Sequence, residues 1–258
     1  MYFEEAIKKE DQYNSKQFRQ NIEAKIDLNR EVEGQEIDII YKDKNSAEYA
    51  IEIKTRAHIT TDIVYEIWNS NQLQKYNKIS AFSGSYLAFV VETNSDKSVI
   101  YSVAKKKGIK VLDLDLCNSR YFFDNFITQE KNGILIKSFS KNSYSHQNEL
   151  TVLKYQKECS DIKEKLNKLK EKLEKLELDE LYKEMSPWQE IDKTHCNVLS
   201  LTKCITNTIR KLKVYKKYNN DDETKQSISD IIDFINSFKG KLAELVIFKN
   251  LVKIESQK

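Results

Sequence analysis

The strings Glu36-Ile37-Asp38 and Glu52-Ile53-Lys54 stand on either side of a polar turn, and their spacing constrains this chain more than any other feature. Ile37 to Tyr41 and Tyr49 to Ile53 are rich in branched and aromatic residues. Lys42-Asp43-Lys44-Asn45-Ser46 between them is a turn cluster, so the segment predicts a β-hairpin. A turn centred near Asn45 sets Asp38 opposite Glu52 and Glu36 opposite Lys54, and strand alternation then puts all four side chains on one face. Opposed residues have Cβ atoms roughly 5 Å apart, and like charges there repel. A divalent cation would remove that cost. Two carboxylates, a carbonyl such as that of Ile53, and water suit Mg²⁺, with Mn²⁺ as a substitute, better than a softer metal. Lys54, one strand step further on, is placed to orient or deprotonate an attacking water or to neutralise phosphate charge. The same residues also fit a solvated strand face with Glu36 and Lys54 as a surface ion pair.

Glu36-Ile37-Asp38-Ile39-Ile40, followed by Ala50-Ile51-Glu52-Ile53-Lys54-Thr55-Arg56, resembles the core of the PD-(D/E)xK nuclease superfamily, with Ile37 where the family name has proline. The resemblance implies a restriction-endonuclease-like α/β fold and Mg²⁺-dependent hydrolysis of DNA phosphodiester bonds, in restriction, phage defence or repair. It makes Asp38 and Glu52 metal ligands and Lys54 the catalytic lysine. The family opens with a helix that often carries a glutamate near the metal. Tyr2-Phe3-Glu4-Glu5-Ala6-Ile7 fits that helix, which makes Glu4 or Glu5 a further candidate ligand; as first-turn acids they would equally favour a helix N-terminus. Thr61 to Tyr76 reads as one helix and contains Gln72-Leu73-Gln74-Lys75-Tyr76, similar to the QhxxY motif of the branch that includes exonuclease domains of recombination helicases. Gln72 and Tyr76 share a helix face, where they would hold a phosphate or position the lysine.

The rest of the first half reads as an α/β sandwich. Phe18 to Leu28 alternates and predicts the first core strand, although Phe18, Ile22 and Ile26 also suit a helix. Tyr86 to Glu92 is a continuous apolar run, as in a strand buried on both faces. Ser95 is a candidate cap for a helix through Val99, Ile100, Val103 and Ala104, ending in Lys105, Lys106 and Lys107 and stopping at Gly108. Ile109 to Leu114 supplies the next strand, completing a βαβ unit, and Gly133 to Phe139 is a candidate strand. The aromatics of Arg120-Tyr121-Phe122-Phe123-Asp124-Asn125-Phe126 suit packing between core and helical region.

From about residue 150 the character changes. Ile162, Leu166, Leu169, Leu173 and Leu176 follow the spacing of a coiled-coil seam. After Pro187 comes a stripe through Ile191, His195, Val198, Thr202, Ile205, Ile209 and Leu212. A third runs through Ile228, Ile231, Ile235, Phe238, Leu242 and Leu245, interrupted at Gly240. These predict an all-α bundle or coiled-coil accessory domain over residues 146–258, behind a catalytic domain over 1–145, with roles in homodimerisation, DNA contact or docking a protein partner. The rival reading is a nuclease-like DNA-binding or assembly subunit that scaffolds a partner through its helices.

Net charge is only +3, so the distribution of charge carries more information than its total. Arg210-Lys211-Leu212-Lys213-Val214-Tyr215-Lys216-Lys217-Tyr218 is the densest basic stretch. Arg210, Lys211, Lys213, Lys216 and Lys217, with Arg56, are the candidate nucleic-acid contacts. Cys117, Cys159, Cys196 and Cys204 show neither disulfide nor zinc spacing. His195-Cys196 suits helix packing better than a metal. No apolar run is long enough to span a membrane and no secretory signal is evident, which predicts a cytoplasmic protein.

Overall fold

The computed structural model describes residues 21, 24–56, 58–117, 119–139, 164, 167–178 and 198–256. Six strands form one mixed sheet: β1 (Ile26–Val32), β2 (Gln35–Lys42), β3 (Glu48–Thr55), β4 (Phe82–Val91), β5 (Val111–Asp113) and β6 (Asn132–Ser138), in the order β1-β2-β3-β4-β6-β5. The first three pair antiparallel; β3, β4, β6 and β5 run parallel.

Two turns build the antiparallel half. Between β1 and β2, Glu33 (φ 50°) and Gly34 (φ 73°) both take the left-handed conformation, which matches the twist of a two-residue hairpin loop. Between β2 and β3, the buried Asp43 carboxylate accepts from the amides of Asn45 (2.8 Å) and Ala47 (3.0 Å), so the side chain substitutes for backbone pairing in the turn. The resulting register pairs Ile39 with Ile51 and Ile40 with Ala50, as the turn cluster predicts.

Three elements differ from the sequence expectation. Ala24 and Lys25 are helical and β1 begins only at Ile26, so of the alternating segment the strand takes only the end from Ile26 onward; Phe18 and Ile22 lie outside the described residues. Thr61 to Tyr76 is two helices, α1 (Thr61–Trp68) and α2 (Asn71–Tyr76). They part at Asn69-Ser70, residues whose short polar side chains favour turns over helix interiors. The next helix, α3 (Asn94–Lys107), is capped by Thr93, whose hydroxyl accepts from the Asp96 amide, and not by Ser95. It ends at Gly108 (φ 66°), as predicted.

The crossover through α3 leads to a parallel strand, but β5 does not adjoin β4. β6 lies between them, so Gly133 to Phe139 is indeed a strand and an interior one. The residues leading into β6 approach β4 closely. A Cβ on Gly84 would lie 2.3 Å from the Lys131 carbonyl oxygen, and that oxygen accepts from the Ser85 amide at 3.0 Å.

Each face of the sheet has its own core. On one, Ile37, Ile40, Ala50, Leu87, Phe89 and Ile134 meet Val64, Ile67, Leu73, Tyr76, Ile100 and Val103 from α1, α2 and α3. On the other, Ile39, Tyr41, Ile51, Tyr86 and Leu135 meet α4 (Arg120–Gln129) and the long C-terminal helix α6 (Asp222–Ser256). Within α4, Phe123 packs edge-on to Tyr41 at 4.8 Å and Phe126 lies against Tyr86, as the aromatic segment suggests. Tyr121 and Phe122 instead face solvent.

The helical region divides differently from a free-standing bundle. α5 (Val198–Tyr218) and α6 form a hairpin, with Asp221 accepting from the Thr224 amide at 2.7 Å to start α6. Leu212, Ile228, Ile231 and Ile235 are buried between them. Leu169 and Leu173, in the helical stretch 167–175, join the same cluster. α6 runs straight through Gly240, and beyond it Leu245, Ile247, Phe248, Leu251 and Val252 are buried against the sheet. Each such side chain contributes roughly 1.5–3 kcal/mol. The division at residue 145 follows composition, whereas packing crosses it. Ile162, Leu166, Pro187, Ile191, His195, Cys159 and Cys196 lie outside the described residues. No helix among the described residues is long and apolar enough to cross a membrane.

Candidate active site

The β2–β3 ladder closes from Lys42↔Glu48 up to Ile39↔Ile51 and is not continued beyond, while β3 stays paired with β4 as far as Thr55. The two strands therefore part at Asp38 and Glu52. In the gap, Asp38 Oδ2 accepts from the Ile53 amide at 2.6 Å. Within a strand, the N–H and C=O of one residue point to the same side, so the Ile53 carbonyl opens onto the same gap. Asp38 and Glu52 are thus brought together as the sequence register requires.

The expectation that Glu36, Asp38, Glu52 and Lys54 share one face needs correction. Ile37 and Ile40 belong to the same core and Ile39 to the opposite one, so simple alternation breaks across Asp38. Asn29, between the β1–β2 pairs Leu28↔Ile39 and Arg30↔Ile37, has φ 48°, and this left-handed residue twists the ladder at that level. Glu36 is exposed. Lys54 pairs with Glu52, through Nζ to Oε1, where a Glu36–Lys54 surface pair was the alternative.

Glu52 is buried and held from two sides. Lys54 takes Oε1, and the Tyr76 hydroxyl, 2.5 Å away, donates to Oε2. Gln72 Nε2 donates in turn to the Tyr76 oxygen at 2.8 Å, and the Glu36 carbonyl oxygen lies 3.0 Å from the same hydroxyl. The Gln72–Tyr76 pair therefore bears on the carboxylate, where the motif suggested a phosphate or the lysine. Burial, followed by the bond to Glu52, pushes the Tyr76 phenol well above its ordinary value, so it remains a donor. Asp38 is pushed up to about 7, first by burial and then by the charge of Glu52, against the opposing Ile53 amide.

A supporting group escaped the sequence reading because it comes from the far end of the chain. Lys241 of α6 donates to Asn29 Oδ1 at 2.7 Å and to Glu244 at 2.8 Å, and the Glu244 charge adds to the upward push on Asp38. Nothing local in the sequence links Asn29 with Lys241.

The donor set at the gap is two carboxylates and a carbonyl, oxygen only, which suits a hard divalent cation completed by water. Among the described residues, no group of three or more His, Cys, Asp or Glu side chains could hold a metal. Glu4 and Glu5 lie outside the described residues. Arg56 is exposed and donates to the Thr55 carbonyl at 2.9 Å. Arg210, Lys211, Lys213 and Lys217 are exposed on α5, away from the gap, and Lys216 donates to Ser229. No protein-family model, curated protein or solved structure matches the chain.

Proposed function

We propose that this chain is a divalent-cation-dependent deoxyribonuclease whose working groups are Asp38, Glu52 and Lys54. The observation that carries the reading is the meeting of two carboxylates where β2 and β3 part, one raised to about 7 by burial and by its neighbour, with a lysine against the other. Asp38, Glu52 and the Ile53 carbonyl are the groups that would hold the cation. When bound, it neutralises the pair and lends Lewis-acid strength to water and to a phosphate oxygen. Tyr76 fixes one oxygen of Glu52 and Gln72 fixes Tyr76, so the carboxylate is aimed by a second layer of hydrogen bonds. Lys54 serves Glu52 as a resident counter-charge. Its flexible stem lets the ammonium turn outward to steer an attacking water or to neutralise charge on the phosphate.

The test is incubation of the purified protein with supercoiled, linear and single-stranded DNA in Mg²⁺ or Mn²⁺, beside an EDTA control and the Asp38→Ala variant. The proposal expects metal-dependent cutting that the variant loses, with product lengths separating endonuclease from exonuclease action. DNA binding without cutting would favour the nuclease-like subunit that scaffolds a partner.

A further inference from the structure

α6 passes the sheet in a direction that matters for substrate. Lys239 pairs with Glu92, the residue after β4, and Lys241 reaches Asn29 beside Asp38. Glu255, at the other end of the helix, meets Tyr41 and Arg120. α6 therefore enters the core at the edge that carries Asp38 and Lys54, and the residues before Lys239 extend outward from that edge. At 1.5 Å per residue, this outer half is about 25 Å long. It is backed by α5, with Leu212 buried against Ile228 and Ile231.

The charged residues of α5 are Lys203, Arg210, Lys211, Lys213, Lys216 and Lys217, with no Asp or Glu, in a chain whose total is nearly balanced. Arg210, Lys213 and Lys217 are exposed and recur at i, i+3 and i+7, which places them in one stripe about 100–160° round the helix from the buried Leu212. The stripe rises about 10 Å, roughly three base-pair steps of a duplex at 3.4 Å each. In the hairpin it lies alongside the first two turns of α6, roughly 15–25 Å out from the catalytic edge.

We propose that the α5–α6 hairpin is an arm that holds the phosphate backbone of DNA several nucleotides away from the gap, through Arg210, Lys213 and Lys217. The identity of the polyanion rests on the nuclease reading; the stripe and its placement do not. A row of cations with no acid on its helix, standing out from the edge that carries the reactive groups, is complementary to a backbone that passes through the gap and continues along the arm.

The test is fluorescence anisotropy of labelled 24-base-pair DNA in EDTA over a range of salt, using the full chain, Arg210→Gln/Lys213→Gln/Lys217→Gln, and Lys105→Gln/Lys106→Gln/Lys110→Gln as an equal loss of charge elsewhere on the exposed surface. Glutamine matches lysine in helix propensity, and circular dichroism checks that each variant is folded. The stripe variant is expected to bind at least tenfold more weakly at about 0.1 M salt and to lose about 2–3 from the slope of log affinity against log salt, near 0.9 per phosphate contact. The control variant should stay within about twofold of the parent. No binding by the parent, equal binding by the stripe variant, or equal weakening in the control would each overturn the arm. Because EDTA removes cleavage from the readout, a chain that cuts DNA but ignores the stripe refutes the arm alone, and one that binds through the stripe without cutting refutes the nuclease alone.

Discussion

Where β5 meets β6, Asp113 and Asp115 meet Lys97 and Lys137; at the parting of β2 and β3, Asp38 and Glu52 meet Lys54. Asp113 closes the parallel strand β5 and Asp115 follows it, whereas Glu52 lies in the C-terminal half of the parallel-paired β3 and Asp38 reaches it from the antiparallel β2. In the first, Lys97 donates to Asp113 (2.8 Å) and Asp115 (2.6 Å), Lys137 also holds Asp115, and the Ser138 amide adds a bond at 2.9 Å. Burial works against the charge of Asp115, but these partners outweigh it and hold the carboxyl at about 2. In the second, burial and Glu52 outweigh the Ile53 amide and Lys54, and Asp38 rises to about 7. The same residue type is thus stabilised as an anion in one place and destabilised in the other. A cluster that satisfies its own charges is a structural tie. One that leaves negative charge uncompensated is a place for an external cation.

The largest effect expected from this contrast is on chemistry. Asp38→Asn or Glu52→Gln should lower Mg²⁺-dependent cleavage by about a thousandfold or more, since each removes a charge on which cation binding depends, with the thermal midpoint unchanged or raised. A coupled loss of cleavage and folding in both variants would erase the contrast. Next, Lys137→Met should cost about 1–3 kcal/mol in urea unfolding, because it withdraws one of two cations from half-buried Asp115, while turnover per folded molecule stays within a few-fold. Tyr76→Phe, which deletes the donor to Glu52 but keeps the ring in its core, should slow cleavage about tenfold, the equivalent of about 1.4 kcal/mol. Cleavage at the parent's rate would show that Glu52 needs no second layer.

The smallest effects are in pH dependence, and they carry opposite signs. Asp115 has a lowered folded-state pKa, so its contribution is present above 3.8 and is lost as pH falls towards about 2. Asp38 has a raised one, so the metal-free protein loses stability as pH rises from 3.8 through about 7. Each is worth about 1–2 kcal/mol after allowance for solvent screening. Denaturation of the metal-free protein at pH 5 and pH 8 should therefore show a decline that Asp38→Asn flattens, whereas Asp115→Asn should flatten only the acid limb.

What was legible in the sequence was mostly what is local. The hairpin register follows from the turn at Asn45, so the meeting of Asp38 and Glu52 is legible in the sequence, as is the Gln72–Tyr76 pair from its spacing. The break in alternation at Asp38 is not, because it depends on a left-handed Asn29 in a neighbouring strand. The Glu33-Gly34 turn carried a hairpin signal, but the apparent alternation of Phe18 to Leu28 drew the first strand too far upstream. The insertion of β6 between β4 and β5 is a non-local pairing that no pattern within either strand encodes. The role of α6 left a trace: Leu242-Ala243-Glu244-Leu245-Val246-Ile247-Phe248 is apolar nearly all round, which marks a helix buried on several sides and not a one-striped bundle helix. A single stripe interrupted at Gly240 leaves out the layer that this helix supplies to the sheet.

The central claim, that the Asp38–Glu52 pair, only partly compensated by Lys54, is a cation site, is most directly tested by calorimetric titration of millimolar Mn²⁺ into the metal-free protein and its Asp38→Asn variant. The account predicts saturable binding by the parent and its loss in the variant, with both chains folded. No saturable binding by the parent, or equal binding by the two, would contradict it.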